Sequence, residues 1–294
     1  VGGRARGALG RLAAPGGRVS VPLEPAVTER VRELGSAELV VGIPSYDNAR
    51  TIGHVVRAVA AGLGKHFPGR SAVIVNSDGG SRDGTPQVVA STELGSPQAI
   101  LARHPLGPVH KILTPYHGLP GKGSALRTIF AIAERLGARA CAVVDSDLRS
   151  ITPEWIELLL GPIVQHDFDY VAPLYLRHKY DGTITNSIVY PLTRALYGRD
   201  VRQPIGGEFG FSSRLASHYL ARPVWESDVA RFGIDVWMTT TALAGGFRVC
   251  ESFLGAKIHD PKDPGAALAA MLVQVVSAVV DLRENNHARW AGVE

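Results

Sequence analysis

The chain has 294 residues, 45% hydrophobic and 20% charged, with a formal net charge of +4. That composition suits a soluble core of one large α/β domain or two small ones, and no apolar run reaches the roughly 20 residues that span a bilayer. Much of the positive excess is Arg4, Arg6, Arg11 and Arg18, so a solvated basic arm explains it without a nucleic-acid groove. Two cysteines, Cys141 and Cys250, give no disulfide framework and fit a reducing cytoplasm.

Residues 1–20 read as a loose Gly/Ala/Arg-rich arm, followed by a short helix over 24–35. The first strand, 38–43, ends at Pro44-Ser45-Tyr46-Asp47-Asn48, a loop with turn chemistry. Ile52, Val55, Val56, Val59, Ala60 and Leu63 then recur at helical spacing. A second strand, 71–75, empties into the Asn76–Thr85 segment, and a helix over 86–94 follows. After a weaker strand at 109–113, a glycine-rich loop at 118–123 carries Lys122 and opens a helix. That helix turns Leu126, Ile129, Phe130, Ala133 and Leu136 inward. Residues 140–144 form a short small-residue and β-branched run that ends in Asp145-Ser146-Asp147. Strands alternating with helices predict an α/β, mainly parallel, doubly wound sheet.

Beyond residue 168 the alternation fades. A strand over 169–175 precedes a polar, basic loop at 177–185 and a helix at 188–197. A glycine-rich stretch at 203–211, a helix at 233–243, a strand at 248–253, a loop at 257–261 and a long amphipathic helix at 266–282 complete the chain. There is no internal repeat.

Ligands of open α/β sheets bind outside the carboxyl ends of the strands, which is where Asp145 and Asp147 fall. Two carboxylates held together repel unless a cation joins them, and oxygen ligands suit Mg2+ or Mn2+ carrying a diphosphate; the alternative is a helix cap beside a solvated aspartate. Tyr46 or Asp47 can read a base or ribose, as can Asp78 and Asp83, although no dinucleotide fingerprint is present. Lys122 between two glycines at a helix start suits an anion, without the spacing of a Walker loop. In Gln203-Pro204-Ile205-Gly206-Gly207-Glu208 the glycines permit close backbone approach, and paired N–H groups can hold a carboxylate or phosphate. Asp235 at a helix start is a cap or a site carboxylate. His259 is a solvated loop histidine or a further metal ligand.

Taken together, these motifs resemble the nucleotide-sugar glycosyltransferases of GT-A fold. More narrowly, they are similar to the retaining enzymes that make glucosyl- or mannosylglycerate and their 3-phosphoglycerate counterparts. The resemblance covers roughly residues 38–282 and narrows on Gln-Pro-x-Gly-Gly-Glu, Gly-Ile-Asp and His259. It implies a Rossmann-like sheet with helices on both faces. A loose arm would occupy residues 1–35, a nucleotide-sugar-binding part 36–150, a smaller acceptor-binding α+β part 151–264, and a C-terminal helix 265–294. It implies a divalent metal, Mg2+ or Mn2+, on Asp147 and His259, with Asp145 nearer the ribose or behind them. The donor, UDP-glucose or GDP-mannose, would meet Pro44, Ser45, Tyr46, Asp47, Asn48, Asn76, Asp78, Lys122, Asp145, Ser146 and Gly207. A small acidic acceptor, D-glycerate or 3-phosphoglycerate, would meet Arg177, Thr183, Asn186 and Gly206. Glu208 and Asp235 would touch the transferred sugar and, with Asp147, carry the chemistry. A homodimer is the family expectation. The acidic residue usual after the opening Pro-x-x-Asn is absent, since Asn48 is followed by Ala49. An inverting GT-A transferase acting on a polyprenyl phosphate or polysaccharide is the alternative, but it would need a carboxylate base near the acceptor and often membrane segments. A nucleotidyltransferase would carry its basic glycine loop directly after the first strand, where Pro44 to Asn48 stand instead. A non-catalytic sugar-nucleotide-binding protein is the remaining reading.

Overall fold

The computed structural model describes residues 21–94, 109–115, 121–177, 182–227, 229–259 and 264–291. The expected arm at 1–20, the start of the glycine-rich loop at 118–120, His178 to Asp181 of the acceptor loop, and Asp260-Pro261 lie outside the described residues. Seven strands form one sheet: β1 (Leu39–Ser45), β2 (Ala72–Asp78), β3 (Val109–Pro115), β4 (Ala140–Val143), β5 (Tyr170–Leu176), β6 (Phe209–Ser212) and β7 (Val249–Ala256). Their order is β3-β2-β1-β4-β6-β5-β7. All neighbours are parallel except β6, which runs antiparallel to both β4 and β5. The mainly parallel sheet expected from the alternation is therefore present, with its one reversal in the half where the alternation fades.

The strand residues divide by parity, because successive side chains leave opposite faces of a pleated strand. Leu39, Val41 and Ile43 join Ile74, Ala142 and Val144 in one buried cluster with helices α2 (Ile52–His66) and α5 (Glu154–His166). Val40, Val73, Val75, Cys141, Val143 and Phe211 face the other way. There they pack on α1 (Pro25–Leu34), α4 (Lys122–Arg135), α7 (Ser213–Leu220), α8 (Ile234–Ala244) and α9 (Pro264–Asn285). Both faces being covered explains why these strands read as continuous apolar runs. All the apolar positions expected to face inward on α2 and α4 are buried. Gly42 is required by the second layer: a Cβ there would stand 2.5 Å from Ile129. Among the described residues no helix is long and apolar enough to cross a membrane.

Several boundaries differ from the sequence reading: β2, β3 and β7 run on to Asp78, Pro115 and Ala256, and α3 (Thr85–Ser91) stops short of residue 94. β1 runs on through Pro44 and Ser45, which pair with Ser77 and Asp78 of β2. Proline is tolerated in this central strand because the Gly42 carbonyl, two residues earlier, accepts the last bond from the β4 side (Val144 N–H, 3.0 Å). The missing N–H of Pro44 faces that same side, beyond the end of β4. The helix expected at 188–197 is divided into one wide turn, Thr185–Val189, and α6 (Tyr190–Tyr197).

Candidate active site

The carboxyl ends of β1, β2 and β4 lie side by side, and their loops are tied together by side chains. Asp78 at the end of β2 accepts from Ser45 Oγ (2.9 Å), Ser81 Oγ (2.6 Å) and the N–H groups of Gly80 (2.9 Å) and Ser81 (2.8 Å). Asp83 accepts from the Ala49 N–H (2.8 Å) and the Thr85 hydroxyl (2.5 Å). Its slight burial is outweighed by these hydrogen bonds, which hold its carboxyl below the usual range. Asp47 has a left-handed backbone (φ 51) and accepts from the Arg82 N–H at 2.8 Å. Asn48 Oδ1 accepts from Tyr46 N–H (3.1 Å) and Ser146 Oγ (2.7 Å), while Thr51 donates to the Ser146 carbonyl (2.8 Å). The first loop is thus braced against both the second loop and the Asp145-Ser146-Asp147 turn.

Tyr46 and Asp47 are exposed at the rim. Pro44, Ser45 and Asn76 are buried. The Asn76 amide donates to the Ile43 carbonyl and Ser45 Oγ, both at 2.9 Å, so it ties β1 to β2 beneath the crevice. Asp78 likewise spends its oxygens on shaping the loop.

Around Asp145 the charges converge. Lys122, the first residue of α4, donates to Asp145 Oδ1 (2.8 Å) and the Gly207 carbonyl (3.1 Å), and lies 3.5 Å from Asp235 Oδ1. Burial lowers the pKa of this ammonium, but Asp145, Asp235 and Glu208 more than offset that and raise it above the lysine range. Asp235 stands in the first turn of α8, where the helix dipole favours a carboxylate. Its Oδ1 is buried and, among the described residues, makes no hydrogen bond. Gly123 lets α4 begin this close, since a Cβ there would strike the backbone of Ala230.

Glu208, expected against the sugar, is fully buried. It accepts from Lys257 Nζ at 2.7 and 2.9 Å, from the Tyr175 hydroxyl, and from the Asp145 N–H at 3.4 Å. Burial pushes its carboxyl up to about 7, with Lys257 pulling the other way. These partners occupy both carboxylate oxygens of Glu208. Gly206 and Gly207 present carbonyls to Lys257 and Lys122. Gly206 approaches the Pro173 ring where no Cβ fits, and Gly207 has φ +89 against the Asp145 carboxylate.

The late histidine comes to the aspartate. An isolated antiparallel bridge joins Leu148 to His259, reinforced by Arg149 N–H to the Ile258 carbonyl (2.8 Å) and Ile258 N–H to Ser150 Oγ (2.9 Å). His259 consequently lies beside the residue that follows Asp147. Among the described residues, no group of three His, Cys, Asp or Glu side chains gathers into a cage. One carboxylate and one imidazole with room for phosphate oxygens and water is a donor set that fits Mg2+ or Mn2+.

The expected acceptor residues assemble in part. Arg177 and Asn186 flank Gly182, whose φ is +64, and the Asn186 N–H donates to the Gly182 carbonyl (2.8 Å). Thr183 and Asn186 are exposed. The Arg177 guanidinium lies 5.1 Å from the Tyr175 ring centroid, and its buried Nε has no hydrogen-bond partner among the described residues. Lys257 and Tyr175 are the site residues that motif reading passed over. Each stands two residues before one that the motifs did single out, Arg177 and His259.

The Glycosyl transferase family 2 model matches residues 40–213. Over 257 residues the chain is 26% identical to a glucosyl-3-phosphoglycerate synthase of Mycolicibacterium smegmatis, covering 82% of this chain and 76% of that one. The glucosyl-3-phosphoglycerate synthase of Mycobacterium tuberculosis, solved with Mn2+, UDP-glucose and phosphoglyceric acid, is similar with a TM-score of 0.64 at 19% identity, covering 86% of this chain and 83% of that one. The same enzyme solved with Mg2+ and UDP gives 0.63 at 20% identity and the same coverage. These likenesses establish the GT-A fold.

Proposed function

This chain belongs to glycosyl transferase family 2, and on that premise we propose that it moves glucose from UDP-glucose to a small acidic acceptor of the 3-phosphoglycerate class, with retention and with a divalent metal. The observation that carries the reading is the meeting of Asp145, Lys122 and Asp235 near Asp147, with His259 bridged to the adjacent Leu148, at the carboxyl ends of the strands. The acceptor and donor are the ones named for the relatives from Mycolicibacterium and Mycobacterium.

In this reading Asp147 and His259 hold the metal, which when bound neutralises charge on the departing diphosphate. Lys122 adds a fixed positive charge at the same end of the site. The braced loops carrying Tyr46, Asp47 and Asn48 receive the nucleoside. Arg177 offers a planar fork for the acceptor's carboxylate or phosphate. The acceptor hydroxyl oxygen bonds to the anomeric carbon as the bond to the diphosphate oxygen breaks, and its proton passes to the leaving phosphate. A carboxylate nucleophile is the usual route to retention. Glu208 is enclosed by Lys257 and Tyr175 and is not offered to that face. Asp235 is left to orient the sugar. A homodimer belongs to the same reading, and Val273 and Val280 on α9 supply exposed apolar surface for it.

The test is a matrix of nucleotide sugars against glycerate and 3-phosphoglycerate, with and without Mg2+ or Mn2+, read by product mass. Absence of any glycosylated acid in all wells would sink the reading. Replacing Arg177 by alanine should raise the acceptor KM by about 10- to 100-fold, the worth of a hydrogen bond to a charged group. The donor KM should stay nearly unchanged; equal effects on both would remove Arg177 from the acceptor site.

A further inference from the structure

Lys257 immediately follows β7, and its side chain is only 5% exposed. Its Nζ lies 2.7 and 2.9 Å from the two oxygens of Glu208, 2.8 Å from the Gly206 carbonyl and 3.1 Å from Asp145 Oδ2. Taking an ammonium out of water carries a penalty of several kcal/mol, so this position persists only because these acceptors replace the water.

The backbone puts it there by a bulge. Leu174 pairs with Phe253, but Tyr175 pairs with Gly255, so Leu254 is an extra residue on β7. An extra residue reverses the in/out order of everything after it. Leu254 is buried and Ala256 is exposed, so Lys257, which simple alternation would send to solvent, turns inward. Gly255, at φ +79, supplies the left-handed backbone that such a bulge favours.

What Lys257 joins is specific. β4 and β6 separate beyond the Val143–Phe209 pair. Asp145 leaves on one side of that fork and the Gly206-Gly207-Glu208 turn on the other. Lys257 contacts both. A Cβ on Gly207 would fall on the Asp145 carboxylate and stand 2.8 Å from the ammonium, so the turn is pressed against Asp145 with no spare room.

We propose that Lys257 is a positioning residue, which holds the Gly206–Glu208 turn against Asp145 and thereby fixes the donor half and the acceptor half of the site relative to each other. The word site here rests on the transferase reading above, whereas the clamp itself does not. The competing role is plain neutralisation of buried Glu208.

The double variant Lys257→Met/Glu208→Gln separates the two roles, because it removes both buried charges together. Hydrogen exchange is measured on the full chain, alongside turnover with UDP-glucose and 3-phosphoglycerate. The expected result is exchange at least about tenfold faster at residues 144–148 and 205–208, unchanged exchange in α2, and kcat lower by about 100-fold, the scale of a 1 Å misplacement. Lys257→Arg, which keeps a cation of similar reach, should recover part of both. Unchanged exchange at 144–148 and 205–208 in the double variant overturns the proposal, whatever the turnover does. Faster exchange there, in a protein whose wild type transfers nothing between these two substrates, upholds the clamp and rejects this donor and acceptor pair.

Discussion

Asp147→Ala should abolish transfer and leave the fold standing. Asp147 lies in the turn after β4, past the last ladder pair, and does not belong to either apolar cluster. Its carboxylate is the group proposed to share the metal with His259, which the bridge at Leu148 sets alongside. Lewis-acid stabilisation of a departing diphosphate is worth several kcal/mol. At about 1.4 kcal/mol per tenfold, its loss lowers kcat by on the order of 1000-fold. Thermal melting should move little, and Mn2+ binding followed by electron paramagnetic resonance should weaken in step with activity. Wild-type protein treated with a chelator should behave like the variant and recover on adding Mn2+ or Mg2+. An Asp147→Ala protein with ordinary turnover would remove the metal from this position.

The second large effect is on stability. Glu208→Ala leaves Lys257 buried, with Asp145 and the Gly206 carbonyl as its remaining partners, and strips the Tyr175 hydroxyl of its acceptor. Breaking one side of a buried ion pair costs about 3–5 kcal/mol. For a chain of this size that is a fall in melting temperature on the order of 10 °C. Glu208→Gln, which still accepts from Tyr175, should fall less. A Glu208→Ala protein melting within about 2 °C of wild type would mean that the carboxylate does not hold this corner. Both variants will also lose activity, through the displaced Asp145 and Gly207. The ratio of the two losses separates support from chemistry, because Asp147→Ala should lose turnover without the melting shift.

The residues that pointed toward the site were those whose signal is local. Asp145, Asp147 and the Asp78 loop each stand directly after an apolar run. Strand direction alone carries such residues to one edge of a parallel sheet. The division of β1, β2 and β4 between two helical layers follows from parity and apolar content, both of which survive without knowledge of any partner. Lys122 was readable because a lysine between glycines at a helix start is an anion-binding arrangement on its own terms.

Which of those residues are covered was a different matter. Pro44 and Ser45 share a motif with Tyr46 and Asp47, yet the first two are buried because β1 continues two residues further and pairs with β2. Glu208 carries the same formal charge in a sequence whether it lines a crevice or sits under it. Its burial depends on Tyr175, which is 33 residues away, and Lys257, which is 49 away.

The amino-acid sequence by itself determined the α/β layering and the loops that gather at the strand ends, because each is written in period or turn chemistry; a metal shared by Asp147 and His259 is what the family resemblance implies. Only the tertiary structure decided which lysine meets Glu208 and Asp145. The extra residue at Leu254 reverses the parity of β7, and the ammonium it turns inward finds a carboxylate 112 residues away in the chain. Local pattern holds no record of either event, since both are settled by strand register across the sheet.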